Sequence, residues 1–334
     1  MISIGLLGFI VWSFQMMALL ISNFEVKNFA ICWNSLVLRS TFNSKNLLNY
    51  TQSAGKILKV NYDQDCSSET IRKKSFFDSD WLNWFIGFVE GDGALLYYNN
   101  QPRFVLTQKE GKILHEIQSI LNMGAVKYYP NNYYRLIITK HNDIIKLINI
   151  FNGSFILPHR INQLAIWIQL LKLKNYNVPD LIKNPKNLTL NNAWLSGFTD
   201  AEGCFNVSII KRKESKIGYR IIIRFLLDQK NGKDLFTILS DLFQNGFVSL
   251  RSGTKEVYRF TIDSLKGIEI LIKYFNQYPL KTKKNESYKK WLKIYEMMLN
   301  KKHLTEEGFK QIKELRKFIN LNNSLTHKIG SKKD

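Results

Sequence analysis

Apolar residues recur with two different periods along the part of the chain from Trp81 to Asn320. Segments such as 112–122 and 233–243 place apolar residues three and four positions apart, which predicts amphipathic helices. Between such segments, short stretches such as 205–209 alternate apolar with polar residues, and this alternation predicts strands with one buried face. The order helix, hairpin, helix, hairpin, helix occurs twice. The pattern therefore predicts an α+β fold that contains two pseudo-symmetric αββαββα units.

The individual elements of the two units follow from the same periods. In the first unit, strands are predicted at 94–98, 103–107, 125–129 and 133–139, and helices at 112–122 and 142–151. In the second unit, strands at 204–211 and 219–227 and a hairpin within 247–263 accompany helices at 233–243 and 265–275. Further helices are predicted at 160–175, 288–300 and 305–320.

The pattern also divides the chain into five segments, namely a leader over 1–76, a first domain over 77–152, a helix and linker over 153–190, a second domain over 191–300, and a C-terminal helix with a basic tail over 301–334. Residues 1–22 contain no charged residue and reach the length that a membrane-spanning helix needs. They lack the basic start and the cleavage site of a secretory signal. Read by itself, this stretch predicts a membrane anchor. The rest of the leader is polar and without a sustained period, which indicates poor order.

Two stretches repeat one motif, Trp84-Phe-Ile-Gly-Phe-Val-Glu-Gly-Asp-Gly93 and Trp194-Leu-Ser-Gly-Phe-Thr-Asp-Ala-Glu-Gly203. Both have the period of a helix, and we expect the final glycine to end each one. Small residues lie four positions apart in both copies, where they share one helical face. Because the absence of side chains lets two backbones approach closely, the two helices are expected to pack against each other.

An acid occupies the last turn of each motif helix, Asp92 in the first and Glu202 in the second. The helix dipole makes an acid unfavourable there by roughly 0.3–1 kcal/mol. If the two helices run side by side in the same direction, both carboxylates meet at one end and offer oxygen ligands to a hard divalent cation. The alternative is that these are two unrelated surface acids beside glycines that end helices.

The composition points to an anionic partner. The chain carries 48 Lys and Arg against 27 Asp and Glu, a net charge of +21. A surplus of this size is typical of proteins that bind nucleic acid or an anionic membrane surface, although it also serves solubility. The three cysteines have no CxxC spacing, so that neither a zinc site nor a disulfide framework is indicated.

Polar residues on the outward faces of the predicted strands are candidates for contacting duplex DNA. A pair of curved antiparallel sheets would form a basic saddle, in which polar side chains reach base edges and lysines hold phosphates. Such residues are equally found on ordinary solvated sheet faces. The candidates are Tyr98, Asn100, Gln101, Arg103 and Lys127 in the first half, and Asn206, Ser208, Arg212, Arg220, Arg224, Ser249 and Arg251 in the second.

The two motifs resemble those of the LAGLIDADG homing endonucleases in their single-chain, two-motif form. The resemblance covers about Trp81 to Asn320 and implies a monomer with a pseudo-twofold axis, whose motif helices form the interface between two DNA-binding halves. It also implies that Asp92 and Glu202 bind Mg²⁺, with the carbonyls of Gly91 and Ala201 as further ligands. The reaction it implies is metal-assisted hydrolysis of both strands of a long DNA target, which promotes intron homing.

The resemblance extends to other positions of the site. Gln108 and Gln229 match a polar residue that positions water near the metal. Lys283 matches a basic residue beside the acids, whereas the first half offers either His159 or Arg160 at the equivalent place. The acids Glu90 and Asp200 match a motif position that is structural in the family.

The leader resembles a different protein. Residues 1–13 are similar to a transmembrane segment of cytochrome c oxidase subunit I, and 23–75 are similar to leaders of reading frames inside introns of that gene. This resemblance implies translation from an upstream exon in mitochondria, a matrix location, and an apolar stretch that need not serve the enzyme and is open to removal. Two alternatives remain: a maturase of the same fold that binds its own intron RNA, and a membrane-anchored basic protein without catalysis.

Overall fold

The computed structural model describes residues 77–183 and 187–319. The elements of the first half are α1 (Ser79–Asp92), β1 (Gly93–Tyr98), β2 (Gln101–Gln108), α2 (Gly111–Leu121), β3 (Ala125–Tyr129), β4 (Tyr133–Ile138), α3 (His141–Phe151) and α4 (Pro158–Leu173). Those of the second half are α5 (Trp194–Glu202), β5 (Gly203–Lys211), β6 (Tyr219–Lys230), α6 (Lys233–Phe243), β7 (Phe247–Leu250), β8 (Val257–Ile262), α7 (Leu265–Gln277) and α8 (Lys284–Leu299). A 3₁₀ turn (Lys302–Leu304) and α9 (Glu306–Lys317) follow.

Each half contains one antiparallel sheet of four strands, in the orders β1-β2-β4-β3 and β5-β6-β8-β7. The registers correspond as well, since Phe104 pairs with Ile138 in the first sheet and Phe225 pairs with Ile262 in the second. The two repeated units and the α+β fold that the sequence predicts are therefore confirmed. On each sheet one face is buried against helices, and the opposite face is polar or exposed.

Two helices begin earlier than their apolar pattern indicates. Helix α4 begins at Pro158 and not at Arg160, because proline suits the first turn of a helix, where its missing N–H would have no partner. Helix α8 begins at Lys284, whereas the sequence predicts a start near Tyr288. Its first turn is Lys-Asn-Glu-Ser, which contains no apolar residue and so gives no helical period.

Aromatic side chains fill the interior of both halves. Phe85, Phe104 and Phe151 are fully buried in the first half and contact one another through their rings. In the second half Phe205 is fully buried and its ring contacts those of Phe225, Phe275, Tyr288 and Trp291. The last two residues belong to α8, so that this helix is anchored in the core of the second half.

Helices α1 and α5 pack backbone against backbone. A Cβ atom added to Gly87 would lie 2.0 Å from the carbonyl oxygen of Trp194, and one added to Gly197 would lie 1.8 Å from the carbonyl oxygen of Trp84. Further along, a Cβ on Gly91 would lie 2.4 Å from the Cβ of Ala201. The contacts advance together along both helices, so the helices run in the same direction. Their C-terminal ends therefore meet.

Glycine follows the acid of each motif for a steric reason. Gly93 and Gly203 have φ of −71° in both halves, which any residue can adopt, and not the left-handed conformation common where a glycine ends a helix. A Cβ on Gly93 would lie 2.5 Å from Cγ1 of Val89, and one on Gly203 would lie 2.5 Å from Cγ2 of Thr199. The glycine thus lets the chain turn directly from helix into strand.

The leader over 1–76 and residues 320–334 of the predicted basic tail lie outside the described residues, and the predicted domain boundaries remain predictions. Within the described ranges, no helix has the length and hydropathy needed to cross a bilayer. The apolar stretch over 1–22 was the basis of the predicted anchor, and it belongs to the part that is not described.

We expect Gly197→Ala to lower the free energy of unfolding by at least about 3 kcal/mol, because the added methyl group would overlap a backbone carbonyl that cannot move without separating the helices. The gain in helix propensity, about 1 kcal/mol, is smaller. Urea denaturation followed by circular dichroism measures the change. Asn83→Ala in α1 is the control and should change stability by less than about 1 kcal/mol. Equal stability of the two variants would contradict the close approach.

Candidate active site

The structure brings Asp92 and Glu202 together at the shared end of the motif helices. Each is the last residue of its helix, Asp92 of α1 and Glu202 of α5. The side chain of Glu202 lies against the other helix, since a Cβ on Gly91 would be 3.2 Å from its Cγ. Both halves of the chain thus contribute one carboxylate to a single place.

Both carboxyl groups have a raised pKa. Desolvation is the largest cause for each, and the negative charge of Asp92 is the next cause for Glu202. The charges of Lys284 and Arg160 act in the opposite direction on both acids. Two adjacent carboxylates in a desolvated site favour a bound cation, because a cation offsets their repulsion.

Arg160 and Lys284 are two cations that hold the last turns of the motif helices. Arg160 donates from Nε to the carbonyl of Glu90 at 2.9 Å and from Nη2 to that of Gly91 at 2.8 Å. Lys284 donates from Nζ to the carbonyl of Ala201 at 2.9 Å. Each places positive charge at the negative end of a helix dipole, where it is stabilising. The two residues occupy equivalent places in the two halves.

The second acid of each motif positions these cations. Glu90 accepts through Oε1 from the backbone N–H of Ile156 at 2.8 Å and of Leu157 at 2.5 Å, directly before the helix that carries Arg160. Asp200 accepts from the backbone N–H of Lys281 at 2.7 Å and from the hydroxyl of Thr282 at 2.5 Å, directly before the helix that carries Lys284. The carboxylate therefore fixes the segment from which each cation reaches the site.

A tryptophan from the opposite half acts on each of these acids. The indole Nε1–H of Trp84 donates to Oδ2 of Asp200 at 2.8 Å across the interface. The indole of Trp194 also acts on Glu90 and lowers the pKa of that carboxyl, which desolvation raises to about 7. The second contact is less direct, because Trp194 Nε1 has no hydrogen-bond partner among the described residues.

The structure corrects the predicted basic residue of the second half. The side chain of Lys283 is exposed, and its backbone N–H donates to Oε2 of Glu110 at 3.0 Å. Lys284 is the residue whose charge acts on Asp92, Asp200 and Glu202. Two adjacent lysines cannot be told apart by period. What distinguishes them is the number of residues after the backbone N–H that the second acid of the motif binds. Lys284 follows Lys281 by three residues, just as Arg160 follows Leu157 by three.

In the first half the structure selects Arg160 over His159. Burial lowers the pKa of His159 to about 4, so that its imidazole is neutral, and its buried Nε2 has no hydrogen-bond partner within the described ranges. Arg160 makes the contacts to the motif helix that Lys284 makes in the second half.

The two predicted glutamines are placed differently. Gln108 donates from Nε2 to Oδ2 of Asp92 at 2.7 Å, which orients that carboxylate. Gln229 is buried on β6, where its Oε1 has no partner and its Nε2 is 3.5 Å from the carbonyl of Lys230. The equivalent strand positions therefore do not make equivalent contacts.

The donors at the site suit a hard divalent cation. In the described ranges, no group of three or more His, Cys, Asp or Glu side chains could hold a metal. The available ligands are the carboxylates of Asp92 and Glu202 and the carbonyls of Gly91 and Ala201, which already accept from Arg160 and Lys284. A carbonyl oxygen has a second lone pair. Mg²⁺ commonly binds one or two carboxylates and keeps several waters, so these residues fit it.

All the predicted DNA-contact residues lie on outward positions or at exposed turns. Tyr98 is 71% exposed, and Arg103, Lys127, Arg220 and Arg251 are exposed as well. On β5 and β6, Arg224 donates from Nη1 to Oγ of Ser208 at 2.9 Å, and Ser208 donates to Oδ1 of Asn206 at 3.1 Å. The remaining candidates, Asn100, Gln101, Arg212 and Ser249, are exposed.

Sequence reasoning missed two arginines on the outward faces. Arg135 lies on β4 opposite Thr107, and Arg259 lies on β8 opposite Asp228. Both follow a tyrosine within strands whose other residues are mostly aromatic or β-branched. In such strands apolar residues lie on both faces of the sheet, so the alternation of apolar and polar residues does not identify the outward face. Only the arginine itself marks that face.

Comparisons with known proteins agree with the repeat. The family model for LAGLIDADG endonucleases matches residues 85–171 and 195–295. Probable intron-encoded endonuclease 4 of Neurospora crassa is 36% identical over 76% of this chain and 47% of that protein. The uncharacterized cox1 intron-2 37.2 kDa protein of Schizosaccharomyces pombe is 28% identical over 81% of this chain and 85% of that protein. Intron-encoded RNA maturase bI4 of Saccharomyces cerevisiae is 26% identical over 78% of this chain and 43% of that protein.

The chain thus spans about half the length of the Neurospora and Saccharomyces relatives. Among solved structures, the LAGLIDADG meganuclease I-AabMI bound to uncleaved DNA has the same fold, with a TM-score of 0.62 at 24% identity over 71% of this chain and 99% of that chain. The two regions matched by the family model each contain one motif and one of the two sheets. The chain therefore belongs to the LAGLIDADG endonuclease family, as its two motifs indicate.

Proposed function

We propose that this protein is a homing endonuclease that cuts both strands of a specific duplex DNA site by metal-assisted hydrolysis. One observation carries the proposal: the two halves bring one carboxylate each, Asp92 and Glu202, to a desolvated place beside two cations. Two like charges held together are unfavourable without a compensating ligand. The net charge of +21 and the outward basic sheet faces support a nucleic-acid partner.

Asp92 and Glu202 would hold the divalent cation, for which Mg²⁺ fits the oxygen donors, with Gly91 and Ala201 contributing carbonyls. When bound, such an ion supplies Lewis-acid polarisation of the phosphate and lowers the pKa of a bound water. Gln108 keeps Asp92 in one orientation through its hydrogen bond. Arg160 and Lys284 add positive charge where the negative charge of a phosphodiester grows during hydrolysis.

The partner that fits this arrangement is a long duplex, because each half presents its own outward sheet face. Both acids and both faces belong to one chain, so a monomer is sufficient for cutting two strands. The intron origin stated in the names of relatives, among them a cox1 intron protein, supports a mitochondrial source and a matrix location. The DNA sequence at the intronless exon junction is accordingly the first substrate to test.

A second candidate function is assistance in splicing of the intron RNA. The similarity to the Saccharomyces maturase favours it, and a basic outward face suits RNA as well as DNA. The presence of both acids supports cleavage, and the proposed splicing role assigns no step to them. The two activities are compatible in one chain.

We expect Asp92→Asn and Glu202→Gln each to lower the rate of double-strand cleavage by at least about a hundredfold, because each removes a carboxylate ligand from the metal site. DNA binding should persist, since no cation on the outward faces is lost. Cleavage of a duplex spanning the intronless exon junction, with and without Mg²⁺, measures the first effect, and gel-shift titration measures the second. Glu269→Gln on the exposed side of α7 is the matched control. Double-strand cutting by either site variant at the rate of the control would contradict the metal assignment.

Replacement of the two adjacent lysines should separate their roles. Lys284→Met is expected to lower the cleavage rate at least about tenfold, because it removes the cation that faces both acids and holds the carbonyl of Ala201. Lys283→Met should cleave nearly as well as the unchanged protein, because this side chain is exposed and Lys284 is the residue that contacts the motif helix. Single-turnover cleavage rates of both variants, with thermal unfolding as a check on folding, provide the test. A larger loss for Lys283→Met than for Lys284→Met would reverse the assignment.

The splicing function can be tested with the same variants. If the chain assists splicing, the Glu202→Gln variant should promote splicing of the intron RNA as well as the unchanged protein does, because RNA binding uses the outward faces and not the acids. An in vitro splicing assay of the precursor RNA measures this. Splicing that does not change on addition of either protein would remove the second candidate function.

A further inference from the structure

Asp228 is the only acidic residue in the eight strands that the structure describes. It lies on the outward face of β6, directly opposite Arg259 on β8. The rest of this face is neutral or basic. An acid on a surface that meets a polyanion weakens binding to every sequence, because it repels phosphates. The presence of Asp228 on this face therefore indicates a role that offsets this repulsion.

The contact between Asp228 and Arg259 is bidentate. Oδ1 of Asp228 accepts from Nε of Arg259 at 2.6 Å, and Oδ2 accepts from Nη2 at 2.7 Å. Arg251, on the same face, has its Nη1 3.4 Å from Oδ2 of Asp228. The side chains of Asp228 and Arg259 are only 24% and 31% exposed. A fork of two parallel hydrogen bonds fixes the plane and the direction of the guanidinium.

This geometry determines which donors remain for a ligand. The guanidinium carries five N–H groups, and the pair with Asp228 uses one on Nε and one on Nη2. Both N–H groups of Nη1 and the second N–H of Nη2 point away from the carboxylate. Two donors on adjacent nitrogens at this edge match O6 and N7 of guanine in the major groove, the commonest specific base contact of arginine.

We propose that Arg259, held in position by Asp228, reads a guanine in the half of the DNA target that faces the second sheet. Asp228 is a positioning residue in this arrangement and Arg259 determines specificity. The inference rests on the proposed function, since it takes duplex DNA as the partner. If Asp228 and Arg259 only neutralised each other's charge, the bidentate geometry would not be needed, because a partly exposed ion pair contributes little to stability in any geometry.

Among the described residues of the first half there is no equivalent contact. Arg135, the counterpart of Arg259, lies opposite Thr107, and its guanidinium lies 5.0 Å from the ring centre of Tyr129 and 5.1 Å from that of Tyr133. The two tyrosine rings are stacked at 5.3 Å. Arginine is therefore held by aromatic faces in one half and by a carboxylate in the other. The two halves of the target should consequently differ in base preference at the equivalent position, so the target is not palindromic.

The test uses the full chain and a duplex library with a randomised central segment. Sequences bound in the presence of Ca²⁺ are recovered and counted for the unchanged protein and for the variants Arg259→Lys, Asp228→Asn and Lys273→Gln. Lysine keeps the charge of Arg259 but lacks the fork. We expect the unchanged protein to select guanine at one base pair. Arg259→Lys should lower that preference for guanine about tenfold or more, and the base preferences at the other positions of the target should not change. Lys273 lies on α7, and its replacement should leave the whole profile unchanged.

Asp228→Asn separates positioning from charge. If Asp228 positions Arg259, this variant loses part of the guanine preference at the same base pair. If Asp228 acts through charge alone, this variant binds all sequences more tightly and keeps its preference for guanine, and that result overturns the proposal. An unchanged sequence profile for Arg259→Lys also overturns it. Thermal unfolding verifies that each variant is folded. A protein that selects a sequence but does not cleave it contradicts only the proposed nuclease, whereas a protein that selects no duplex sequence contradicts both proposals.

Discussion

The close approach of two helix backbones is the constraint on which the rest of this structure depends. Gly87 and Gly197 have no side chain because each faces a main-chain carbonyl of the other helix. With both helices running in the same direction, two acids that are far apart in sequence meet at one end. A larger residue at either glycine would separate the halves and also the carboxylates. The interface and the site are therefore the same structural feature.

The cations of the site depend on this interface through the second acid of each motif. Asp200 accepts from Trp84 across the interface and from the segment before α8, so the position of Lys284 is fixed from both halves. Glu90 acts in the same way on the segment before α4. This explains why a second acid is part of each motif. It connects the packing of the helices to the placement of charge.

Much of the fold could be predicted because it depends on local periods. Strand β3 and helix α6 have the bounds that the alternation and the helical spacing indicate. The start of α8 could not be predicted in this way, since its first turn is polar and the segment directly before it is held by a contact of Thr282 to Asp200, distant in sequence. The assignment of Lys283 failed for the same reason. Asp92 and Glu202 could be predicted from their motif, whereas Arg259 and Asp228 form a pair only through the register of two strands, which no local pattern contains.

The glycine contacts are reciprocal, since the glycine of each helix meets the backbone of a tryptophan and a phenylalanine of the other helix. Such self-complementary contact is a property of interfaces between identical subunits. The interface thus preserves the geometry of a homodimer within one chain, as expected if the gene arose by duplication and fusion of a single unit. Trp84 and Trp194, Gln108 and Gln229, and the arginines of the two sheets differ in their contacts between the halves. The two halves of one chain can differ in this way, whereas two identical subunits cannot.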